Sequence, residues 1–558
     1  MLRHLWMTIA FCGLLACTAE TKTAATTPAP ADWSTTATLP ASGERRDIYN
    51  LGDALADTAS RGLRHISTWP VTVSGVLLPW RPIAMVFDPA ATAADILQLQ
   101  AVGRVALGFG TTDEMYGFLG LSKRGAAAEA FAGVNWPPEL VAGQFLGAGT
   151  LTTSHGPALT FSCATCHVAN FFGKTIVGMT NRHSRANVFF GMAKQFFPAV
   201  TDDLLVSKTQ ATPDELALMD RAQANLPAVG YKEPRAHGLD TSLAQVALSL
   251  ARRQPDAWAT RDATLEATPR PNDLETFTAD SKPAVWWSLK YKTRWLSDGS
   301  IVSGNPVFTN FLWNELGRGT DLHELNDWLA ANQTIIQELT ALVFANTPPR
   351  WQDVFPDLPL DVTAATRGKV TFDAICATCH GTYDKDFSTG DTRTLAVHYH
   401  SVTPVLDVGT DPQRAKGMAA FATNLNNLAI SQAMGTVVEV QTGYVPPPLE
   451  GIFTRYPYLH NQSVPTLCEL LRPAKFRTAQ FWMGPDTTVA TDFDPQCVGL
   501  PVGAAVPAAW QADAANEMDT TQPGLHNQGH ESFLLDANGN EVLTATQRAD
   551  LVAFLKTL

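Results

Sequence analysis

The pentapeptide Cys-Ala-Thr-Cys-His occurs twice in this chain, at residues 163–167 and again at 376–380. Two cysteines three positions apart, followed directly by histidine, form the attachment signature of c-type haem. On the first turn of a helix the two thiols share a face and reach both vinyl groups along one porphyrin edge, while the next imidazole turns toward the iron. A tetrahedral zinc site would need a second ligand pair nearby, and the two motifs lie roughly 210 residues apart. A redox dithiol requires neither the histidine nor a duplicate. The motifs therefore predict two covalently bound haem c groups. Cys163 and Cys166, and Cys376 and Cys379, would be the thioether donors, and His167 and His380 the proximal iron ligands. Such a chain must fold around two large flat cofactors, and it is a redox protein.

The N-terminal region agrees, because haem c is attached after export. Arg3 and His4 precede an apolar run at 9–16 that is too short to span a bilayer and has the order of a secretory signal. It ends in the lipobox-like Leu14-Leu15-Ala16-Cys17, so residues 1–17 read as a lipoprotein signal peptide with Cys17 as the lipid anchor. Residues 18–46, rich in Ala, Thr, Pro and Ser, read as a flexible tether. The expected protein is exported, and is periplasmic or tethered to the outer membrane. Of eight cysteines, Cys468 and Cys497 remain once the export segment and the motifs are assigned. In an oxidising compartment they are expected to form a disulfide. The formal net charge of −13 argues against a nucleic-acid partner and suits docking to a basic electron carrier.

The turn-rich stretch Asn346-Thr347-Pro348-Pro349-Arg350 divides residues 47–345, the first haem domain, from 346–558, the second. In the second, residues 362–372 run as a helix into the motif, with Thr363 as its cap. This resembles the approach helix of the cytochrome c fold. Residues 543–558, with Thr544 as cap and Leu551, Phe554 and Leu555 at helical spacing, resemble that fold's terminal helix. In the first half, helices are expected over 214–224, announced by Thr212 and Pro213, and over 321–344. The fold class is mainly α: two cytochrome c-like haem domains with long loops and a large insertion in the first half.

The segment Tyr456-Pro457-Tyr458-Leu459-His460-Asn461-Gln462-Ser463-Val464-Pro465-Thr466-Leu467 resembles one in bacterial dihaem cytochrome c peroxidases, and more closely one in the related dihaem rubber-oxygenase group. Further islands are Gly409-Thr410-Asp411-Pro412-Gln413-Arg414-Ala415, Phe493-Asp494-Pro495, Asn527-Gln528-Gly529-His530-Glu531 and Val285-Trp286-Trp287-Ser288-Leu289-Lys290-Tyr291-Lys292. Together they spread the resemblance over residues 140–558. The chain departs from it at Gln462, where the pattern has glycine, and in the Cys468 and Cys497 pair. The resemblance implies that His530 is the sixth ligand of the second haem, and that the first haem keeps an open or weakly held position. It also implies that Trp286 and Trp287 help electrons cross between the haems, with His460 as an inter-haem residue of the catalytic centre.

Lys290, Lys292 and Arg294 are candidates to neutralise haem propionates, and Trp295 and Phe308 to form the distal wall of the first haem. Gly178-Met179-Thr180-Asn181 is placed to loop round that haem's edge, and Met179 or Met192 as a sulfur ligand would close it. His398, Tyr399 and His400 either touch a propionate or alternate along a strand. Calcium lies between the haems in some relatives, but no acidic ligand loop for it is visible here. Two functional classes follow. One is a dihaem oxidoreductase that reduces peroxide or activates oxygen at the first haem, with electrons passed through the second. The other is a non-catalytic dihaem electron-transfer lipoprotein with both irons six-coordinate. Either would need a periplasmic electron donor or acceptor protein.

Overall fold

The computed structural model describes residues 31–40, 43–390 and 392–558. The predicted signal peptide, Cys17 and the first part of the tether lie outside the described residues. The protein is 43% helical with 11% strand, so helix dominates. The strands are short antiparallel ribbons. The largest sheet joins Leu78–Pro79, Gly156–Phe161 and Ala148–Thr153, with the middle one central. Among the described residues no helix is long and apolar enough to cross a membrane.

The second half is built on two crossing helices, Val362–Ile375 and Ala545–Leu555. Gly368 lets them touch, because a Cβ at that position would overlap the carbonyl of Asp550. Phe372 and Phe554 pack 5.1 Å apart across the crossing, and Arg367 donates to both carboxylate oxygens of Asp550 at 2.7 and 2.8 Å. The first helix is capped not by Thr363 but by Asp361, which accepts from the Ala364 N–H at 2.8 Å. The carboxylate caps the free N–H groups and also complements the positive end of the helix dipole, so it displaces the hydroxyl two residues later. Thr544 with Gln547 and Thr212 with Glu215 form full capping boxes.

The helix expected over 321–344 is two helices, Leu322–Ala331 and Gln333–Ala345, broken at Asn332. Asn332 donates from its side chain to the Trp328 carbonyl at 2.7 Å. Both pieces bury the same stripe in one core (Leu325 and Leu329, then Ile336 and Leu339). The apolar periodicity therefore runs on across the break and hides it.

The two main hydrophobic cores do not follow the 345/346 boundary. Met418, Phe421 and Leu425 belong to the first-half core, while Phe171 and Trp287 belong to the core of the terminal helices. The ribbon of Ile301–Ser303 with Val437–Val438 also joins the halves. So does Asp486, which is ion-paired with Arg182 and accepts from the Tyr456 hydroxyl at 2.8 Å.

The far end of the expected tether is packed rather than free. Trp33 meets Trp295 at 6.4 Å and Phe344 at 5.6 Å. Arg45 is buried, and its N–H donates to the Lys290 carbonyl at 2.9 Å. Two anchors suffice to hold the segment, and its average composition concealed them.

Cys468 and Cys497 form a disulfide across a sequence separation of 29. Replacing both by serine is expected to lower the free energy of unfolding by ~3 kcal/mol through the released loop. A denaturation midpoint unchanged from the wild type would show that the loop is held by its packing alone.

Candidate haem sites

The first motif forms one helical turn, Ala164–His167, between the sheet strand Gly156–Phe161 and the ribbon Val168–Phe171 with Lys174–Val177. The loop after that ribbon clamps it. Gly178 N–H donates to the His167 carbonyl at 2.7 Å and Asn181 N–H to the Cys166 carbonyl at 2.8 Å. The Asn181 side chain donates to the carbonyls of Thr165 and Gly120 at 2.8 and 2.7 Å. Gly147, at φ +96°, passes so close that a Cβ would stand 2.6 Å from the Thr165 nitrogen. Only glycine suits both the angle and the approach.

Cys163, Cys166 and His167 open onto a cavity of about 300 Å³ whose walls include Phe161, Phe189, Val246, Trp295 and Phe311. Two thiols, one imidazole and an apolar slot are what haem c requires of a protein. Burial pushes the His167 imidazole down to about 4, so the ring is neutral and can offer a lone pair to a metal. The Trp286 ring lies 5.2 Å from it, with the planes 31° apart. Among the described residues lining this cavity His167 is the only histidine, and none is a methionine. Met179 and Met192 pack in neighbouring apolar clusters instead.

Trp295 lines the cavity as expected of a distal-wall residue, but Phe308 does not. Phe311 lines it instead, one turn further along the helix Pro306–Leu316. The i,i+3 spacing puts the two rings near the same face, which is the signal that could have found Phe311. Asp240, Lys282 and Arg414 also line the cavity, and no local pattern marks them.

The second motif, Ala377–His380, follows the helix Val362–Ile375 directly. It is less enclosed than the first: Thr378 is exposed where its counterpart Thr165 is buried. His380 donates from Nδ1 to the Pro447 carbonyl at 2.8 Å, which fixes the tautomer and leaves Nε2 for a metal. The ring of His530 faces it with centres 6.1 Å apart. That span suits two imidazoles sharing one ion through metal–nitrogen bonds of about 2 Å each.

His530 sits at φ +55°, a backbone conformation a non-glycine residue adopts only when its surroundings hold it there. Its N–H donates to the Val408 carbonyl at 2.7 Å. Arg477 braces the preceding loop by donating to the carbonyls of Asn527 and Gly529. Burial pushes His380 to about 4 and His530 to about 3, so both rings are neutral. The Nδ1 atoms of His167 and His530 are buried without a hydrogen-bond partner.

The consecutive tryptophans diverge. Trp286 turns to His167, while Trp287 is buried in the other core and donates from Nε1 to the Glu450 carbonyl at 2.8 Å. Glu450 lies on the loop whose Pro447 holds His380. His460 does not line the His167 cavity. It stands one layer behind, with its carbonyl accepting from the Lys282 N–H at 2.8 Å. Its ring stacks 4.0 Å from that of Tyr444, and its Nε2 is buried without a partner. Burial, with Arg414 and Lys282 nearby, pushes it down to about 3.

Gln462 holds φ +60°, the conformation that the glycine of the resembling segment would favour. Lys290 and Lys292 are both buried, and Lys290 pairs with Glu44 at 3.2 Å. His398 faces solvent and pairs with Asp384 at 2.8 Å. Tyr399 donates to the Pro446 carbonyl at 2.6 Å and His400 to the Cys379 carbonyl at 3.0 Å, so these two brace the second motif. Among the described residues no group of three or more His, Cys, Asp or Glu side chains gathers to hold a metal ion.

Asp280 is buried beside the cavity wall and accepts from the Arg235 N–H at 2.8 Å. Burial raises its carboxyl from 3.8 to about 6. A carboxyl raised by folding costs nothing below the unfolded value, where it is protonated in both states. The cost grows between the two values and is complete above the folded one. Asp280→Asn is therefore expected to stabilise the protein by ~2–3 kcal/mol at pH 7 and not at pH 3.5. Unfolding curves at the two pH values check this, and an equal effect at both would refute it.

Residues 443–483 match a family model described as RoxA-like, cytochrome c-like. They include Tyr444, Pro447, Glu450, His460 and the start of the disulfide loop. The chain is 28% identical over 261 residues to the uncharacterized protein y4iJ of Sinorhizobium fredii, covering 38% of this chain and 41% of that protein. It is 28% identical over 236 residues to the uncharacterized protein y4iM of the same organism, covering 36% of this chain and 49% of that protein. The chain thus spans less than half the length of either relative. The matched segment supports haem c as the cofactor. Through residues 443–483 the chain is related to the RoxA-like, cytochrome c-like proteins, which points to a haem-based electron-transfer or oxidoreductase role.

Proposed function

We propose that this protein is an exported dihaem oxidoreductase, tethered through Cys17. It reduces peroxide or activates oxygen at the haem held by Cys163, Cys166 and His167. Electrons come from a partner protein and pass through the haem held by Cys376, Cys379 and His380. The observation that carries this reading is the asymmetry of the two sites. The second has facing histidines, His380 and His530, 6.1 Å apart. The first has His167 and no other histidine or methionine among its described lining residues.

A bound haem supplies an iron that exchanges electrons and, where one axial position is open, accepts a small oxygen ligand. His167 would hold the iron from one side, and the aromatic and aliphatic walls would keep bulk water from the reacting ligand. His380 and His530 would together hold the other haem, which would supply electron transfer. Trp286 beside His167, and Trp287 bonded to the loop that holds His380, offer a short path between the two.

Low-temperature electron paramagnetic resonance on the oxidised, haem-loaded protein tests this. One high-spin and one low-spin ferric signal are expected. Two low-spin signals that persist after half-reduction would instead mean a closed electron carrier.

A further inference from the structure

Three buried cations, Arg414, Arg455 and Lys292, and the half-buried Lys282 lie near one another, and none forms an ion pair with a carboxylate among the described residues. Arg414 lines the His167 cavity and is 6% exposed. Among the described residues its guanidinium makes no hydrogen bond or ion pair, and its Nε is sealed from solvent. Lys282 lines the same cavity and, among the described residues, donates only to the carbonyls of Arg455 and Pro457, at 2.6 and 2.7 Å. Arg455 donates, among the described residues, only to the carbonyls of Pro448 and Glu450, and its Nε is also buried without a partner. That loop carries Pro447, the acceptor for His380. Lys292, 5% exposed, completes the group.

These charges act on one another. Burial and the Arg455 guanidinium hold both Lys282 and Lys292 down to about 7, and Arg455 also acts on His380. Two carboxylates lie close by. Asp298 is near Arg414 but is held above its ordinary range by burial, with Oδ2 unpartnered. Glu450 has Oε2 buried and unpartnered. Neither forms an ion pair.

Positive charges taken out of water without an ion-paired counter-ion would cost the fold several kcal/mol. A site of this kind implies anions that arrive with a ligand. Each haem carries a pair of propionates on the porphyrin edge away from its thioether bonds. In the first site Arg318 and Asp240 act on the cysteine sulfurs, whereas Lys282 and Arg414 stand with His460 instead.

We propose that Arg414, Lys282, Lys292 and Arg455 form one shared anion cradle that binds the propionate carboxylates of both haems, so that the charge on each cofactor is felt at the other. This rests on the dihaem reading. Two propionate pairs match the four cations in number and sign. The cradle would couple the reduction of one iron to the potential of the other without a moving part.

The test uses the haem-loaded full chain and the variants Arg414→Gln, Arg414→Lys and Lys292→Met. Midpoint potentials come from spectroelectrochemistry, propionate bending bands from resonance Raman, and haem content from the pyridine haemochrome. Arg414→Gln removes a positive charge and so favours the ferric state. It is expected to lower both midpoints and to move the propionate bands. Arg414→Lys keeps the charge and is expected to leave both midpoints near wild type, which separates charge from packing if the glutamine variant folds poorly. Lys292→Met is expected to lower both midpoints as well.

A shift confined to one haem would overturn the shared cradle. So would wild-type midpoints that move on adding phosphate or acetate, because the cluster would then hold a solvent anion. A single haem per wild-type chain would instead overturn the dihaem reading itself, whatever the variants show.

Discussion

Replacing His530 with alanine is expected to convert the second haem entirely from low-spin to high-spin, leaving the first unchanged. The ring of His530 faces that of His380 at 6.1 Å, and among the described residues His380 makes no other ring contact. Nothing nearby is poised to replace it: His400 is engaged with the Cys379 carbonyl at 3.0 Å. The backbone at φ +55° complicates the alanine variant, because a Cβ in that region costs about 1–2 kcal/mol. His530→Gly removes the ligand and relieves the angle, so it separates the two effects. Both variants should lose the low-spin ferric signal, and glycine should be the more stable. If both leave the two haem spectra intact, the axial pair is assigned wrongly.

Changing Cys163 and Cys166 together to serine should remove one of two covalent haems and abolish turnover at the first site. The cavity behind them is about 300 Å³, far larger than a single deleted side chain leaves. Without a haem its apolar walls would lose the contacts that a porphyrin would make, which weakens the fold around them. The variant should therefore accumulate poorly, with a melting temperature well below wild type. Cys376→Ser with Cys379→Ser should be milder for folding, since that motif is the less enclosed of the two, with Thr378 exposed. It should keep the first haem while cutting its electron supply. Haem staining, haemochrome content and thermal melts read all of this. Retention of both haems after the first double change would refute the attachment site.

Both Cys-Ala-Thr-Cys-His segments fold as one helical turn because their pattern is local, and Thr212 and Thr544 were legible because a capping box closes within four residues. The cap at Asp361 and the break at Asn332 are also local, but they depend on which of two acceptable side chains wins, and the apolar pattern does not report that. Phe308 was read in place of Phe311 because periodicity places a face without saying which turn of it meets a cavity.

What the sequence by itself determined is carried by neighbouring residues and composition: the mainly helical class, the partnership of Cys468 with Cys497 as the leftover pair, and the two motifs from which the haem proposal starts. What only the tertiary structure decided is everything that depends on distant segments meeting. His530 faces His380 from 150 residues away, and the His167 cavity has no matching second ligand among its described lining residues. Arg414 and Arg455 come from the second half to lie beside Lys282 and Lys292 of the first. The meeting of His380 with His530 and the burial of charge are set by long-range packing, and a linear pattern of hydrophobicity and spacing carries no record of it.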